Sequence, residues 1–372
     1  MPATFATPAA GRLPPPGRPG PARGEAPSAP ARMFAFAVPG LAGLLAGELE
    51  AIEGIRALET GFDGRSDIVT FTAGQRSVKY LSGLALAEDI FVETGRALRF
   101  ERDRAATIAG RLLKPERTTR ALQVRGQIRH AVRARASYRV IVRVLHERSF
   151  LRTDLRRHLA ATIAWQQPRW HFDDPSDLEL WAVEYQPGKI IAGYRASDGR
   201  MRRHDGRAEE RSGALRPTVA AAMVSLAGKP ADALLDPCCG SGTILGEAID
   251  AGWDRVYGAD IDPCAVEIAH RNARGARYCV GDARNIDLDD ESMDACVSNL
   301  PFGKQYDVQG DMDTWLRAVL SELARVTRSG GRDVLLAPAI ERSLVPEQFR
   351  LTDRIPIRLL GTKTTIWAYS RS

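Results

Sequence analysis

No apolar run in the 372-residue sequence approaches the ~20 residues a membrane-spanning helix needs, so none is expected and no membrane partner with it. Cysteine is scarce. Cys238, Cys239, Cys264, Cys279 and Cys296 all fall in the last third, and no two form a Cys-x-x-Cys pair. That excludes a disulfide framework and the usual zinc spacing, and leaves reduced, mostly buried thiols in a cytoplasmic protein as the expectation, with no metal. The Gly-x-x-x-x-Gly-Lys-Ser/Thr loop of nucleotide phosphatases is missing, as is the Gly-x-Gly-x-x-Gly of nicotinamide enzymes.

Acid is what residues 101–170 have little of: 5 Asp plus Glu against 17 Arg plus Lys, a net +12 within a chain whose total is +6. Residues 231–372 carry −6. A basic middle beside an acidic end points to a polyanion meeting the middle. The clustering carries this argument rather than the preference for Arg over Lys, which together with abundant Ala fits a GC-rich genome.

Residues 1–32 are Pro, Ala, Gly and Arg with almost nothing to bury, and are expected to be disordered. Their proline content argues against an amphipathic transit helix, and they hold no continuous apolar core for a secretion signal. Met33 opens the first foldable sequence and is an equally good start for the natural chain. Residues 33–100 read as a small α/β unit, with strands at 34–38 and 68–72, a helix carrying Leu41, Leu44, Leu45 and Leu49, and a second helix at 78–86. Residues 101–195 form the basic block. Its clearest strand puts Tyr138, Val140, Val142 and Val144 on one face and Arg139, Ile141 and Arg143 on the other. Thr153 is expected to cap a helix whose Leu155, Leu159, Thr162 and Ile163 make one stripe, leaving Arg152, Arg156 and Arg157 outside it. Segments 178–185 and 190–194 read as a hairpin through Pro187-Gly188. A polar linker covers 196–213. From 214 to 372, after a helix opened by Pro217, strands at 233–235, 256–259, 278–280, 295–298, 334–337 and 365–369 alternate with helices, the rhythm of an open, mostly parallel sheet.

The strongest motif is Leu235-Asp236-Pro237-Cys238-Cys239-Gly240-Ser241-Gly242-Thr243, where a strand passes through a Gly-rich turn into a helix start that offers free N–H groups. The second strand ends at Asp260-Ile261-Asp262, where Asp260 is placed to accept two ribose hydroxyls. The third ends at Gly281-Asp282-Ala283, where Asp282 is placed to accept an adenine amine. Together these define one adenosyl pocket, with Asp236, Cys238, Gly240, Gly242, Thr243, Asp260, Ile261, Asp282 and Ala283 as candidate contacts. The fourth strand ends at Asn299-Leu300-Pro301-Phe302-Gly303-Lys304.

That last element looks like the Asn/Asp-Pro-Pro-Tyr/Phe motif of enzymes that methylate exocyclic amines. With Asp-Pro-Cys-Cys-Gly-Ser-Gly-Thr it resembles the THUMP-containing RNA guanine-N2 methyltransferases. Arg152-Thr153-Asp154-Leu155-Arg156-Arg157, Pro168-Arg169-Trp170 and Asp177-Leu178-Glu179-Leu180-Trp181 are similar to the THUMP module, which grips tRNA ends. The resemblance covers nearly everything after residue 33. Leu300 departs from the amine-modifying pattern, which often has Pro there; Leu-Pro-Phe-Gly variants occur in the THUMP group, which favours guanine over adenine.

The resemblance implies an α/β chain in which a Rossmann-like methyltransferase domain (214–372) follows a ferredoxin-like unit (33–100) and a THUMP RNA-binding module (101–195). It implies S-adenosyl-L-methionine as cofactor, with Thr218 at its amino-acid end. Asn299, Leu300, Pro301 and Phe302 become the candidate catalytic residues. The Asn299 carboxamide and the Leu300 carbonyl would each accept an N–H of a guanine amine whose lone pair is otherwise lost into the ring, and Phe302 would stack on a flipped base. Arg152, Arg156, Arg157, Arg139, Arg143, Lys114, Arg117 and Arg120 are the candidate RNA contacts. They would read shape and charge rather than sequence. The expected partner is RNA, tRNA in the first place, met by a monomer or weak homodimer. Methylation of 23S ribosomal RNA, adenine-N6 methylation of nucleic acid, and a non-catalytic RNA-binding role remain open alternatives.

Overall fold

Strand β1 (Ala31–Ala37) begins two residues ahead of Met33, because Ala31 and Arg32 already pair with Ala73 and Thr72. The computed structural model describes residues 29–100, 102–145, 150–204, 214–230, 232–301, 311–359 and 361–372, so the tail expected to be disordered lies outside the described residues up to position 28. β1 shares one sheet with β2 (Ile55–Phe62), β3 (Asp67–Ala73), β4 (Asp89–Leu98), β5 (Ser137–Arg143), β6 (His171–Phe172), β7 (Leu178–Gln186) and β8 (Lys189–Arg195), in the spatial order β2-β3-β1-β4-β8-β7-β5-β6. The boundary drawn at 100/101 is therefore no break in the sheet, since β4 pairs with β8 along its length. The β7–β8 hairpin turns through Pro187-Gly188, with Gly188 at φ +71°.

Helices α1 (Ala42–Glu50), α2 (Ala105–Leu112), α3 (Pro115–Ile128) and α4 (Arg152–Gln166) cover one face of this sheet. On α4, Leu155, Leu159 and Ile163 are buried, as their spacing indicates, and Thr162 is half-buried. The cap is Leu151 rather than Thr153, which lies inside the first turn; Asp154 at the third position accepts from the Leu151 N–H at 3.4 Å. Segment 78–86, read as a helix, makes one 3-10 turn at Val78–Gly83. Six residues ending at Gly83 are too few to sustain an α-helix.

The other face curls on itself. Gln186 Nε2 on β7 donates to the Thr60 carbonyl on β2 at 2.6 Å, and the Tyr185 hydroxyl donates to Glu59 at 2.8 Å, although four strands lie between β2 and β7. A Cβ on Gly61 would stand 2.1 Å from the Tyr185 carbonyl oxygen, so only glycine permits this approach. The enclosed trough is filled by Phe34, Phe36, Phe91, Trp181 and Tyr185 with Ile68, Val183 and Ile191. Phe34 and Phe91 stack at 4.7 Å, and Trp181 meets Phe36 edge-on at 5.6 Å.

The second sheet holds β9 (Ala233–Asp236), β10 (Arg255–Asp260), β11 (Arg277–Val280), β12 (Met293–Asn299), β13 (Thr327–Ala337), β14 (Phe349–Leu359) and β15 (Thr362–Arg371), in the order β11-β10-β9-β12-β13-β15-β14. All pairs are parallel except those of β15. The six strands read from sequence are present. β14 was missed because it is an exposed edge strand interrupted by Pro356. α5 (Arg200–Arg203) and α6 (Pro217–Leu226), the latter opened by Pro217 as expected, precede these strands, and α7 (Thr243–Ala251), α8 (Pro263–Asn272) and α9 (Met312–Val326) run between them. α9 seals one face through Leu316, Val319, Leu320 and Leu323.

The two sheets are joined by one continuous core that runs from α1–α4 into α6, α7 and β9. The described part of the linker, 196–204, is docked rather than free. Ala196 N donates to the Ile90 carbonyl at 2.8 Å, Ser197 Oγ donates to Asp89 at 2.9 Å, Arg202 also pairs with Asp89, and Arg216 pairs with Glu88 at 2.6 Å. A second contact joins the turn before α1 to β14: Arg358 N donates to the Pro39 carbonyl at 3.1 Å. Gly40, at φ +103°, approaches so closely that a Cβ there would stand 2.1 Å from the Pro356 carbonyl oxygen. Gly40→Ala is accordingly expected to cost about 1–3 kcal/mol in chemical unfolding; wild-type stability would show that the two parts are not held at this point.

Candidate active site

Four parallel strands end side by side, and their ends make the site. β9 pairs with β10 on one side (Leu235 opposite Tyr257) and β12 on the other (Leu235 opposite Cys296). Chain order reverses between β9 and β12, so helices leave to opposite faces and a crevice opens at the strand ends. Ser298 Oγ donates to Asp236 Oδ1 at 2.7 Å across this junction, and Cys238 N donates to the same oxygen at 3.1 Å. The residue before Asn299 is thereby latched to the start of the Gly-rich turn. Nothing in the sequence motif singled out Ser298; only its position across from Asp236 reveals the role.

Asp236 is fully buried, and burial pushes its carboxyl up to about 7; Ser298 and the Cys238 N–H pull it down, and the nearby Asp260 charge pushes it up. Burial, then Asp236 and Asp260, hold the Cys238 thiol well above its ordinary value, so it stays a neutral thiol. Cys239 and Cys296 are buried and likewise held neutral, whereas Cys264 and Cys279 are exposed, so the thiols are less uniformly buried than expected. Among the described residues no cluster of three His, Cys, Asp or Glu side chains is spaced to hold a metal.

The two glycines of the turn differ in role. Gly240, at φ +51°, faces open space where a Cβ would meet nothing within 4 Å. Gly242, at φ +80°, caps α7, and a Cβ there would stand 3.0 Å from Ala269 Cα on α8. Gly240 thus leaves room for a ligand, while at Gly242 the missing Cβ also lets α7 pack against α8. Asp260 is fixed from behind: Oδ2 accepts from Gly240 N at 2.9 Å and Oδ1 from Asp262 N at 3.0 Å. A carboxylate has about four lone-pair directions, so each oxygen can still accept a hydroxyl. Beside it stand two exposed apolar side chains, Ile261 and, across the β10–β11 pair, Val280, which the motif reading left out. They offer a greasy ledge to a flat ring.

Asp282 differs from expectation. Its carboxylate is forked by Arg284, with Nη2 to Oδ2 at 2.6 Å and Nε to Oδ1 at 3.1 Å, and that guanidinium holds it below the usual carboxylate range. Its capacity to accept an adenine amine is largely taken up by a local, solvent-facing pair, which a ligand could displace at little cost. Ala283 beside it is buried. Thr243 opens α7 and Thr218 opens α6; both are buried with hydroxyls that have no hydrogen-bond partner among the described residues. Asn299 is half-buried, and no described residue hydrogen-bonds its carboxamide. Leu300 sends its side chain into the core and its N–H to the Leu336 carbonyl at 3.3 Å, Pro301 is half-buried, and Phe302 lies outside the described residues.

The candidate RNA contacts divide. Arg152, Arg156 and Arg157 are exposed on the first turns of α4. Arg156 lies over the exposed ring of Phe172 at 5.6 Å, and Arg157 pairs with Asp154 at 2.8 Å on the open surface. Lys114 and Arg117 are exposed at the start of α3, and Arg120 bonds the Ala29 carbonyl. Arg139 and Arg143, by contrast, are committed within the chain. Arg139 is held by Asp174 at 2.6 Å and Glu179 at 2.7 Å, while Arg143 pairs with the buried Asp63 at 2.6 Å and covers Trp181 at 4.5 Å. Their alternation on a strand face made them look solvated, and only the partners from distant segments show otherwise.

A seven-stranded sheet with one reversed strand, a Gly-rich turn after its first strand and an acid ending its second defines a Rossmann-like methyltransferase domain. Residues 204–345 match the UPF0020 family model, described as an RMKL-like methyltransferase domain. The chain is 39% identical over 139 residues to the bovine (Bos taurus) U6 snRNA (guanine-N(2))-methyltransferase THUMPD2, covering 35% of this chain and 27% of that protein. It is 34% identical over 163 residues to the tRNA (guanine(10)-N2)-dimethyltransferase of Methanothermobacter thermautotrophicus, covering 41% of this chain and 48% of the relative. The chain thus spans about a quarter to a half of the length of these relatives. The crystal structure of TrmN from Thermus thermophilus superposes with a TM-score of 0.73 at 23% identity, over 92% of this chain and 99% of that one, which establishes a shared fold across both sheets. Among the described residues no helix is long and apolar enough to cross a membrane.

The buried Asp236 generates a pH dependence. Its folded value lies above the ordinary 3.8, so from about pH 4 to about pH 7 the unfolded chain has lost a proton that the folded chain keeps, and stability falls as pH rises through that window. Asp236→Asn keeps an oxygen to accept from Ser298 and Cys238 N. Urea unfolding at pH 5 and pH 8 should show a smaller loss in the variant than in wild type; equal losses would mean that Asp236 is ionised throughout.

Proposed function

We propose that the chain transfers a methyl group from S-adenosylmethionine to the exocyclic N2 amine of a guanosine in RNA, with tRNA as the expected substrate. The observation that supports the reading is the Ser298–Asp236 latch, which fastens the strand end that carries Asn299 to the start of the Gly-rich turn. The residues suit the cofactor. Asp260 has accepting capacity for two ribose hydroxyls, Gly240 leaves open space above the turn, Ile261 and Val280 offer apolar surface to an adenine, and the unpaired hydroxyls of Thr218 and Thr243 lack only a partner.

When bound, the cofactor supplies a methyl already activated on a sulfonium. What the chain must add is alignment. A guanine amine is a weak nucleophile because its lone pair is delocalised. With one N–H accepted by the Asn299 carboxamide and the other by the Leu300 carbonyl, the nitrogen is pinned with its lone pair turned toward the methyl, and such orientation contributes much of the rate in a transfer of this kind. The Leu300 N–H bonded to Leu336 and the Leu300 side chain locked in the core keep that carbonyl from drifting. With the methyl supplied by the bound cofactor, the chain's part would be to hold the amine, whose surplus proton would pass to water. The exposed arginines of α4 would hold the phosphate backbone and leave target choice to the fixed distance between that helix and the strand ends.

The relatives named for guanine-N2 methylation of tRNA and of U6 snRNA favour guanine over adenine and leave more than one RNA as substrate. Incubation with unmodified tRNA followed by nucleoside mass spectrometry is expected to show N2-methylguanosine; N6-methyladenosine, or no methylated nucleoside on any RNA tried, would refute the reading. Asn299→Ala should lower turnover by about a hundredfold or more while S-adenosylhomocysteine affinity, measured by calorimetry, stays as in wild type. Undiminished turnover would move the amine elsewhere. Asp260→Ala should abolish that affinity.

A further inference from the structure

The catalytic domain is acidic, yet its outer hairpin is not. Six arginines of the domain are neutralised by nearby acids: Arg255 by Asp232, Arg271 by Glu267, Arg284 by Asp282, Arg325 by Glu322, Arg328 by Asp294 and Arg371 by Glu291. Arg371 ends β15, but the cations further into the β14–β15 hairpin have no such partner among the described residues. Arg354, Arg358 and Lys363 are exposed, and none has an acidic partner among the described residues. Strand register puts them together. Arg354 stands opposite Trp367 and Arg358 opposite Lys363, and paired residues of antiparallel strands share a face. The Arg354 guanidinium lies over the Trp367 ring at 4.9 Å, which holds it flat while leaving its edge donors free.

Register also gives the distance to the site. Asn299 pairs with Leu336, Leu336 with Ile366, and Ile366 with Ile355, so one row of residues leads from the candidate catalytic strand end to the hairpin. Three strand spacings make roughly 14 Å. Arg358 lies three residues beyond Ile355 toward the same end of the sheet as Asn299, roughly 10 Å further along. Trp367, beneath Arg354, packs in the same core as Leu300 and α9, so the cations lie on that side of the sheet.

We propose that Arg354, Arg358 and Lys363 form a second RNA contact, on the catalytic domain itself, that grips backbone phosphates flanking the target nucleotide. The inference rests on the methyl-transfer reading for its substrate, and on charge and register for its place. Three cations with no acidic partner among the described residues, on the same side and toward the same end of the sheet as Asn299, suit a polyanion that must be held on both sides of a base drawn out of its stack. The α4 arginines lie in the other sheet and would hold a different part of the same RNA.

The test is RNA binding at several salt concentrations for wild type, for the Arg354→Gln/Arg358→Gln/Lys363→Gln variant, for the Arg358→Gln/Lys363→Gln variant that leaves the Trp367 stack intact, and for Arg271→Gln as a paired control on α8. Loss of three phosphate contacts should flatten the slope of log affinity against log salt by about 2–3 and weaken binding at least tenfold near physiological salt. The double variant should show about two thirds of that change in slope, and Arg271→Gln almost none. S-adenosylhomocysteine affinity should be unchanged throughout, which reports an intact domain. Equal slopes for wild type and the triple variant, or a wild type that binds no RNA, would overturn the proposal. A wild type that binds RNA but methylates none would refute the methyl-transfer reading instead, and the two slopes would still decide whether the hairpin is a contact.

Discussion

The site depends on the place where β12 lies beside β9. Every other contact of the crevice follows from that pairing, because it inverts the chain order and leaves the two strand ends open to solvent between helices of opposite faces. A hydrogen bond from Ser298 to a buried Asp236 fastens the junction. Burying a carboxyl group is costly unless its lone pairs are used, and here a hydroxyl and a backbone N–H use one oxygen between them. The domain accepts that cost where it fastens the end of β12, through Ser298, to the start of the Gly-rich turn, and the raised protonation range of Asp236 is its signature.

The N-terminal sheet answers a different need. Its curl, closed by Gly61 and filled with aromatic rings, gives a tightly packed body. The docked half of the linker and the Gly40–Pro356 contact then join that body to the catalytic sheet through a shared core. If the α4 arginines hold one part of an RNA, the modified position is selected by the span between the two bodies. A stiff connection is the physical requirement for such measurement, and the ion pairs converging on Glu88 and Asp89 help to supply it.

How far sequence could anticipate this depended on range. Strands of the catalytic sheet were legible because buried parallel strands read as short apolar runs, and motifs at their ends fell where topology needs them. β14 escaped because an exposed edge strand with Pro356 carries no such signal. β4 escaped for the opposite reason: Asp89, Glu93 and Thr94 are polar yet buried, Asp89 matched by Arg195 far along the chain and Glu93 by Arg96 on the same strand. The same blindness to distant partners made Arg139 and Arg143 look like free surface charge when Asp174, Glu179 and Asp63 hold them. At the site, Gly240 and Asp260 were legible as local motifs, whereas Ser298, the Arg284 fork on Asp282 and the separate packing duty of Gly242 arise only when strands and helices meet.

The central claim is that the strand ends seat an adenosyl cofactor beside the Asn299 carboxamide. A crystal structure with S-adenosylhomocysteine tests it most directly. The account predicts the ribose hydroxyls on Asp260, the adenine against Ile261 and Val280, and space for a purine amine within about 3–3.5 Å of where the methyl would stand, bounded by Asn299. A cofactor seated elsewhere, or an Asn299 side chain turned out of that space, would contradict it.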